Sequence, residues 1–274
     1  MRKGALFVAA LLAAALVAVS CGDGAHVVTS ETVSNETTSE MLVFAPQDRG
    51  AWPVIVAYHG IDGTAQNMAE LATRLAAEGS AVFAPTYSTD LTTVEGFQQA
   101  GIDAECGYRF ARSLAAGYGG DLDQPVTLVG WSLGASAALA VGLSEDLDPS
   151  GEVVSCFDQA PRPDIIVALS GCHYEGGQLD LVETEAWGNR EAEIILLAGE
   201  NDTNCSPSQT EDATTELGLA GYDVTLEMLA GADHFAPVFH RLVGEEMVVV
   251  PDAPAGQRIV DVVMDAIAAR RGAE

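Results

Sequence analysis

The sequence predicts an α/β fold in which a mostly parallel β-sheet carries helices on both faces. Short runs of β-branched and other apolar residues recur along the chain, as is typical of strands that are buried on both sides. Longer segments with helical spacing separate these runs, and alternating strands and helices form βαβ units. The 274 residues, 48% of them hydrophobic, can bury one substantial core, and the chain shows no internal repeat. We therefore expect one domain.

The predicted elements follow in chain order, each justified by an apolar run or by apolar residues at helical spacing. The strands are Met41–Ala45, Pro53–Tyr58, Ala81–Ala84, Val126–Gly130, Asp164–Ser170, Glu193–Ala198 and Val224–Leu229. The helices are Ala65–Glu78, Val94–Ala116, Ser132–Leu143, Ser208–Leu219 and Gly256–Arg270. In such a sheet the carboxyl ends of the parallel strands lie at one edge, where ligands bind. The short segments 145–162 and 171–190 are the candidates for elements that cap this edge.

The first residues have the composition of an export signal. Arg2 and Lys3 precede an unbroken apolar run from Ala5 to Val19, which is short for a membrane span. Residues 1–20 are therefore predicted to be a signal peptide, and the mature protein is expected to be extracytoplasmic.

Cys21 directly follows this signal, and the Ala-Val-Ser before it resembles a bacterial lipobox. The resemblance implies that Cys21 is lipidated and holds the protein on the bacterial cell membrane. Secretion without a lipid is the alternative. Residues 21–40 are polar and are predicted to form a tether, the later part of which is a candidate edge strand. Residues 41–274 are predicted to form the domain.

The chain is strongly acidic, with 12 basic against 40 acidic residues and a formal net charge of −28. Proteins that bind nucleic acid carry basic patches, and this chain contains no basic cluster. The composition therefore excludes nucleic acid as a partner. Solubility is a sufficient explanation of the excess negative charge.

Four cysteines besides Cys21 are predicted to form two disulfides, because their number is even and the chain carries an export signal. Three pairings are possible. We favour Cys172–Cys205, since each of these residues follows the end of a neighbouring predicted strand, which leaves Cys106–Cys156 as the second bond. Metal ligation is the competing explanation, but the chain lacks CxxC and HxxxH spacings.

Ser132 lies at the centre of Gly130-Trp131-Ser132-Leu133-Gly134, between a predicted strand and a predicted helix. A serine on such a sharp turn adopts an unfavourable backbone conformation, and flanking glycines remove side chains that would collide with adjacent strands. The helix that follows favours negative charge at its amino end. This context indicates a nucleophile, whereas a tightly packed turn without chemistry is the alternative.

A nucleophilic serine needs a histidine base and an acid that orients it, in the chain order serine, acid, histidine. His234 lies on the loop after the last predicted strand, whereas His240 falls in a segment that we expect to be helical. Asp202 lies beyond the end of the preceding strand, from which a carboxylate can reach the imidazole. Glu200 is the alternative acid, and Asp233 is expected to face solvent.

The tetrahedral oxyanion of an acyl-transfer reaction needs two backbone donors. The amide of Leu133 follows the nucleophile directly and is the first candidate. The second candidate is the amide of Ile61, which follows the sharp turn that Gly60 permits after the strand ending in Tyr58.

The ordered segments YHGIDG, GWSLG, GENDTNC and ADHFAP resemble the α/β-hydrolase superfamily over about residues 41–270. Within it, the chain most resembles the dienelactone-hydrolase-like and bacterial cutinase or polyester-hydrolase-like branch. The resemblance implies an α/β-hydrolase fold with a mostly parallel, eight-stranded sheet and a minimal cap. It also implies that Ser132, Asp202 and His234 form the catalytic triad and that Ile61 and Leu133 form the oxyanion hole.

The function predicted from these residues is hydrolysis of carboxylic esters through an acyl-enzyme intermediate, with no cofactor and no metal. Tyr87, Trp131 and Trp187 are candidates for lining the substrate pocket, although aromatic residues also fill cores. An amidase or peptidase with the same triad is one alternative. A catalytically silent hydrolase fold that acts as a surface binding protein is another.

Overall fold

A mixed sheet with helices on both faces makes up most of the protein in a computed structural model. The structure describes residues 15–17, 25–34, 40–48, 50–144, 156, 161–173 and 188–272. Within these residues, the strands of the sheet are β1 (Ala15–Val17), β2 (Val28–Val33), β3 (Met41–Pro46), β4 (Val54–Tyr58), β5 (Ala81–Pro85), β6 (Val126–Trp131), β7 (Ile165–Leu169), β8 (Glu193–Gly199) and β9 (Asp223–Leu229). The helices are α1 (Ala69–Ala77), α2 (Val94–Leu114), α3 (Leu133–Leu143), α4 (Pro207–Leu219) and α5 (Pro254–Arg271). These bounds confirm the predicted strands and helices to within a few residues.

The strand order is β1-β2-β3-β5-β4-β6-β7-β8-β9. The six strands from β5 to β9 in this order run parallel, and β1, β2 and β3 are antiparallel to their neighbours. Strands β2 to β9 thus form the mostly parallel, eight-stranded sheet that was predicted, and β1 adds a ninth strand at its edge. The carboxyl ends of the six parallel strands meet at one edge, where the predicted site residues are expected.

Two apolar layers, one on each face of the sheet, form the core. Helices α2, α3 and α4 pack on one face, and α1 and α5 pack on the other. Successive residues of one strand alternate between the layers: Val54, Val56 and Tyr58 contribute to the first layer, and Ile55 and Ala57 to the second. Because both faces are covered, these strands consist of apolar residues without interruption, which is why they could be recognised in the sequence.

Residues 21–40 were predicted to form a tether with a candidate edge strand in its later part, and the described sheet does include a strand before residue 41. Residues 28–33 of the predicted tether form β2, which pairs with β3 along its whole length. The backbone N–H of His26 donates to the carbonyl of Ala77 at 2.8 Å, so the chain is held against α1 from this point on. Four polar residues stand between Val28 and Val33 in this strand, which is why its sequence also resembles a polar tether.

The predicted signal peptide and lipidation site fall largely outside the described residues. Cys21 lies outside them, and within 1–20 only Ala15–Val17 are described, as β1, which pairs with β2. If cleavage before Cys21 removes this strand, the sheet retains β2 as its edge. In the part of the chain that the structure describes, no helix has both the length and the apolarity that crossing a membrane requires.

A hairpin separate from the main sheet follows the predicted catalytic histidine. It consists of β10 (His240–Val243) and β11 (Glu246–Val249), joined at Gly244, whose φ is 66°. His240 was expected in a helix, and this expectation is wrong, since it begins β10. A short hairpin with mixed side chains offers little periodicity to distinguish it from a helix.

The minimal cap stays a prediction. The segments 145–155, 157–160 and 174–187, which include most of the two candidate capping segments, lie outside the described residues.

Candidate active site

Ser132 occupies a strained turn between β6 and α3. Its φ of 58° and ψ of −121° are unusual for a residue with a side chain. A Cβ atom on Gly130 would lie 1.9 Å from the carbonyl oxygen of Gly134, and one on Gly134 would lie 2.2 Å from the carbonyl oxygen of Tyr58. Both glycines are therefore required by close backbone contacts, as the sequence indicated.

Asp202 and His234 form a buried pair at the carboxyl ends of β8 and β9. His234 Nδ1 lies 2.8 Å from Asp202 Oδ2, and both residues are about 95% buried (5% exposed each). Because a carboxylate can only accept, Nδ1 carries the proton and Nε2 is left as an acceptor. The other oxygen, Oδ1, accepts from the backbone amides of Asn204 and Cys205 at 2.9 Å each.

These contacts set the ionisation of Asp202. Burial alone would raise the pKa of its carboxyl, but the hydrogen bonds from His234 and from the two backbone amides outweigh burial and lower the pKa below its ordinary value. The group is therefore ionised at neutral pH and can stabilise a protonated imidazole.

The alternative acids have other partners. Glu200 is exposed, and its Oε2 accepts from the backbone N–H of Gly231 at 3.1 Å. Asp233 accepts from the amides of Phe235 and Ala236 at 3.0 and 2.9 Å, so it stabilises the turn after the histidine. Of the three carboxylates considered, the structure brings Asp202 to His234.

Trp131 joins the histidine loop to the strand that carries the serine. Its indole Nε1 donates to the backbone carbonyl of His234 at 2.7 Å, and the two rings lie 5.3 Å apart between centroids. Trp131 was expected to line a substrate pocket, but only 4% of it is exposed. Its polar atom and its ring both contact His234, so Trp131 ties the histidine loop to the end of β6, directly before Ser132 in the chain.

Gly199 allows the end of β8 to lie close to the histidine loop, and this residue was not predicted from the sequence. A Cβ atom at this position would lie 2.5 Å from the carbonyl oxygen of Ala232. The end of β8 and the histidine loop can therefore come together only if this residue has no side chain. A glycine at the end of a predicted strand, directly before the Glu200–Asp202 segment, could have indicated this close contact.

The two predicted oxyanion donors lie on either side of Ser132. Leu133 is the first residue of α3, so its N–H has no acceptor within the helix. On the other side Gly60 approaches closely, since a Cβ atom there would lie 3.1 Å from the Cβ of Ser132. Ile61 follows in a turn closed by the N–H of Gly63, which donates to the carbonyl of Gly60 at 3.2 Å.

The remaining aromatic candidates are Tyr87 and Trp187. Tyr87 is 4% exposed, and its hydroxyl donates to the carbonyl of His59 at 2.7 Å, so its polar atom is bonded within the protein. Trp187 lies outside the described residues.

Both predicted disulfides are confirmed. Cys172 and Cys205 are joined with their Cα atoms 4.6 Å apart, and Cys106 and Cys156 with theirs 5.4 Å apart. The first bond ties the loop after β7 to the loop that carries Asp202. Since the amide of Cys205 also donates to Asp202, this bond helps to hold the acid in place.

The second histidine that the sequence offered lies elsewhere. His240 donates from Nδ1 to the carbonyl of Val238 at 2.7 Å and lines a cavity of about 400 Å³ between α1, the β2–β3 edge and the hairpin. This cavity does not include Ser132, Asp202 or His234. Within the described residues, no cluster of three or more histidines, cysteines or carboxylates is arranged to hold a metal.

Comparison with known proteins agrees with this architecture. The family model described as Chlorophyllase matches residues 16–149, slightly less than half of the chain, which includes Ile61, Ser132 and Leu133 but ends before Asp202 and His234. No curated protein sequence matches the chain.

Several solved structures share the fold at low sequence identity. Esterase B from Lactobacillus rhamnosis superposes with a TM-score of 0.70 at 16% identity, covering 89% of this chain and 88% of that one. A truncated carbohydrate esterase from gut microbiota gives 0.68 at 17% identity, covering 90% and 99%. Thermogutta terrifontis esterase 2, phosphoramylated by tabun, gives 0.64 at 16% identity, covering 87% and 94%. The sheet order, the strained serine turn and these similarities together show that the chain has the α/β-hydrolase fold.

Proposed function

We propose that this protein is a serine hydrolase that cleaves carboxylic esters. The observation that carries the proposal is the buried His234–Asp202 pair, whose loop is bonded to Trp131, the residue directly before a serine with a strained backbone. Strain of this kind is retained where the surrounding structure enforces it, and it occurs often at active sites. A serine with φ of 58° has no evident role in packing.

In the proposed mechanism Ser132 Oγ attacks the ester carbonyl while His234 Nε2 accepts its proton. Asp202 keeps the proton of the neutral ring on Nδ1 and stabilises the imidazolium. The amides of Ile61 and Leu133 donate to the oxyanion, and the dipole of α3 favours the same charge. His234 then protonates the leaving alcohol, and water that it activates hydrolyses the acyl-enzyme. No metal and no cofactor takes part.

The relatives support the ester rather than the amide as the substrate class. The three similar structures named above are esterases, and one of them, Thermogutta terrifontis esterase 2, is phosphoramylated by tabun. An amidase or peptidase with the same residues, and a silent binding protein, are the alternatives that the experiment below separates.

The test uses a fluorophosphonate probe and a panel of substrates with the folded full chain. We expect the probe to label Ser132, and nitrophenyl esters to be hydrolysed faster than the matching nitroanilide amide. The Ser132→Ala variant should lose labelling and at least about 10³-fold in kcat, because triad members act as a unit. Preferential cleavage of the amide would indicate the amidase, and a folded protein that neither labels nor turns over would indicate the binding protein. A series of acyl chain lengths and a polyester film would define the substrate.

We also propose that the protein acts outside the cytoplasm, attached through a lipidated Cys21 or freely secreted. The two disulfides support an oxidising compartment, in which such bonds persist. Membrane fractionation of cells that produce the full chain or its Cys21→Ser variant distinguishes attachment from secretion.

A further inference from the structure

Tyr87 holds His59 at three points. Its hydroxyl donates to the carbonyl of His59 at 2.7 Å, its backbone N–H donates to His59 Nε2 at 3.3 Å, and the two rings lie 4.5 Å apart with an interplanar angle of 32°. Both residues are buried, with 4% and 0% of their surface exposed. A side chain held in this way cannot rotate without breaking buried hydrogen bonds, which is costly.

These contacts determine which nitrogen of His59 carries the proton. Since Nε2 accepts from the backbone of Tyr87, the proton of the neutral ring is on Nδ1. Nδ1 then donates to the carbonyl oxygen of Gly60 at 2.8 Å. Burial lowers the pKa of His59, which keeps the ring neutral and Nε2 available as an acceptor.

The carbonyl oxygen of Gly60 thus accepts from two donors, His59 Nδ1 and the backbone N–H of Gly63 at 3.2 Å. The carbonyl of Gly60 and the N–H of Ile61 belong to one planar peptide unit and point in opposite directions. Two donors that hold the carbonyl therefore also set the direction of the Ile61 N–H. Gly60 itself lies against Ser132.

We propose that Tyr87 is a positioning residue, which acts through His59 and the Gly60 carbonyl to aim the Ile61 amide at the oxyanion. This inference rests on the proposed esterase function and deepens it. The machinery of the hole then includes two buried side chains that do not touch the substrate. Without the Tyr87 hydroxyl, the backbone carbonyl of His59 loses its donor, so the His59–Gly60 segment and the Gly60–Ile61 peptide that follows it are held less firmly.

The test compares Tyr87→Phe with Tyr58→Phe in the full chain. Tyr58 is a matched control, because its hydroxyl is also buried and also donates to a backbone carbonyl, that of Ala104 at 3.0 Å on α2. The ring of Tyr58 packs edge-on against that of Tyr87 at 5.8 Å. Both variants lose one buried hydroxyl in the same part of the core, but only one of them loses a contact with the oxyanion loop.

We expect Tyr87→Phe to lower kcat for p-nitrophenyl butyrate about tenfold, with KM changed less than about twofold, because loss of an entire oxyanion donor costs about 10²- to 10³-fold. The inhibition constant of n-butylboronic acid, whose tetrahedral adduct places an oxygen in the hole, should rise by a similar factor. Tyr58→Phe should leave both quantities within about twofold. Thermal melting measures the stability that each variant loses.

If Tyr87→Phe does not fold, a second pair of variants tests whether His59 orients the Gly60 carbonyl. Asn can place its amide nitrogen near the position of Nδ1, so His59→Asn should retain more activity than His59→Leu. The proposal is overturned if Tyr87→Phe keeps the kcat of the unchanged protein, if kcat falls while boronate inhibition does not change, or if Tyr58→Phe shows the same losses. The proposed esterase function fails separately, if the unchanged protein neither hydrolyses the ester nor reacts with the phosphonate.

Discussion

Replacement of Asp202 by Asn tests whether the carboxylate keeps the proton of His234 on Nδ1. The backbone amides of Asn204 and Cys205 donate to Oδ1 at 2.9 Å each. The NH₂ group of an Asn side chain cannot accept these hydrogen bonds, because it is itself a donor. The Asn side chain must therefore keep its oxygen at this position and present its NH₂ group 2.8 Å from Nδ1. The ring proton then moves to Nε2, which can no longer accept the proton of Ser132.

The magnitude follows from the same contacts. Recovery of the productive tautomer requires the amide to turn over, which leaves the part-buried N–H of Asn204 and the buried N–H of Cys205 facing an NH₂ group at a cost of about 1–3 kcal/mol each. The central value of about 4 kcal/mol corresponds to about 10³ in rate. Loss of the negative charge beside the imidazolium adds about 1–2 kcal/mol. The sum of about 5 kcal/mol predicts that kcat falls about 10⁴-fold, which equals the loss when the corresponding residue is changed in a serine protease.

Steady-state hydrolysis of p-nitrophenyl butyrate measures this loss, with circular dichroism and thermal melting as checks on the fold. Glu200→Gln is the control, because Glu200 also lies at the end of β8 and accepts one backbone hydrogen bond but does not touch His234. Its kcat should stay within about twofold of the original. A folded Asp202→Asn variant with more than about a tenth of the original kcat would refute the reasoning.

Two further predictions concern stability. Replacement of both Cys172 and Cys205 by Ala opens a loop of 33 residues, and we expect the free energy of unfolding in urea to fall by about 4 kcal/mol on the chain-entropy description. Activity should fall as well, since the acid loop loses its anchor, and unchanged activity would show that the loop holds Asp202 without the bond. His173 is buried with neither ring nitrogen bonded within the described residues, and burial lowers its pKa from 6.5 to about 4. The unfolded chain therefore binds the proton more readily, and stability should decrease by about 3 kcal/mol as the pH falls from 6.5 to 4. His173→Leu should flatten this dependence in denaturant titrations, and an unaltered slope would contradict the assignment to His173.

The sequence by itself determined the strands that are covered on both faces and the turn at Ser132. Strands such as β4 and β7 are apolar along their whole length because helices pack on both sides, so composition alone marks them. The glycines at 130 and 134 are detectable for a related reason, since backbone atoms occupy the space of any Cβ at these positions. Burial on both faces requires apolar residues and close backbone contact requires glycine, and both residue types can be read directly from the sequence.

Features with weak local patterns were missed or misread. β2 has four polar residues between its two valines and resembles a polar tether, and the hairpin that His240 begins is too short to show a period. The sequence favoured Asp202 over Glu200 and Asp233, although all three lie on loops at the same edge of the sheet. That choice depends on which carboxylate comes within 2.8 Å of His234.

Only the tertiary structure decided what the buried aromatic residues do. In the sequence, Trp131 and Tyr87 cannot be distinguished from aromatic residues that line a pocket. In the structure, the side chain of each donates a hydrogen bond to the backbone carbonyl of a residue distant in the chain, His234 and His59 respectively. Such partners are selected by three-dimensional proximity across the sheet rather than by spacing along the chain. The sequence indicated the proposed reacting groups, whereas the fold specified the groups that contact them.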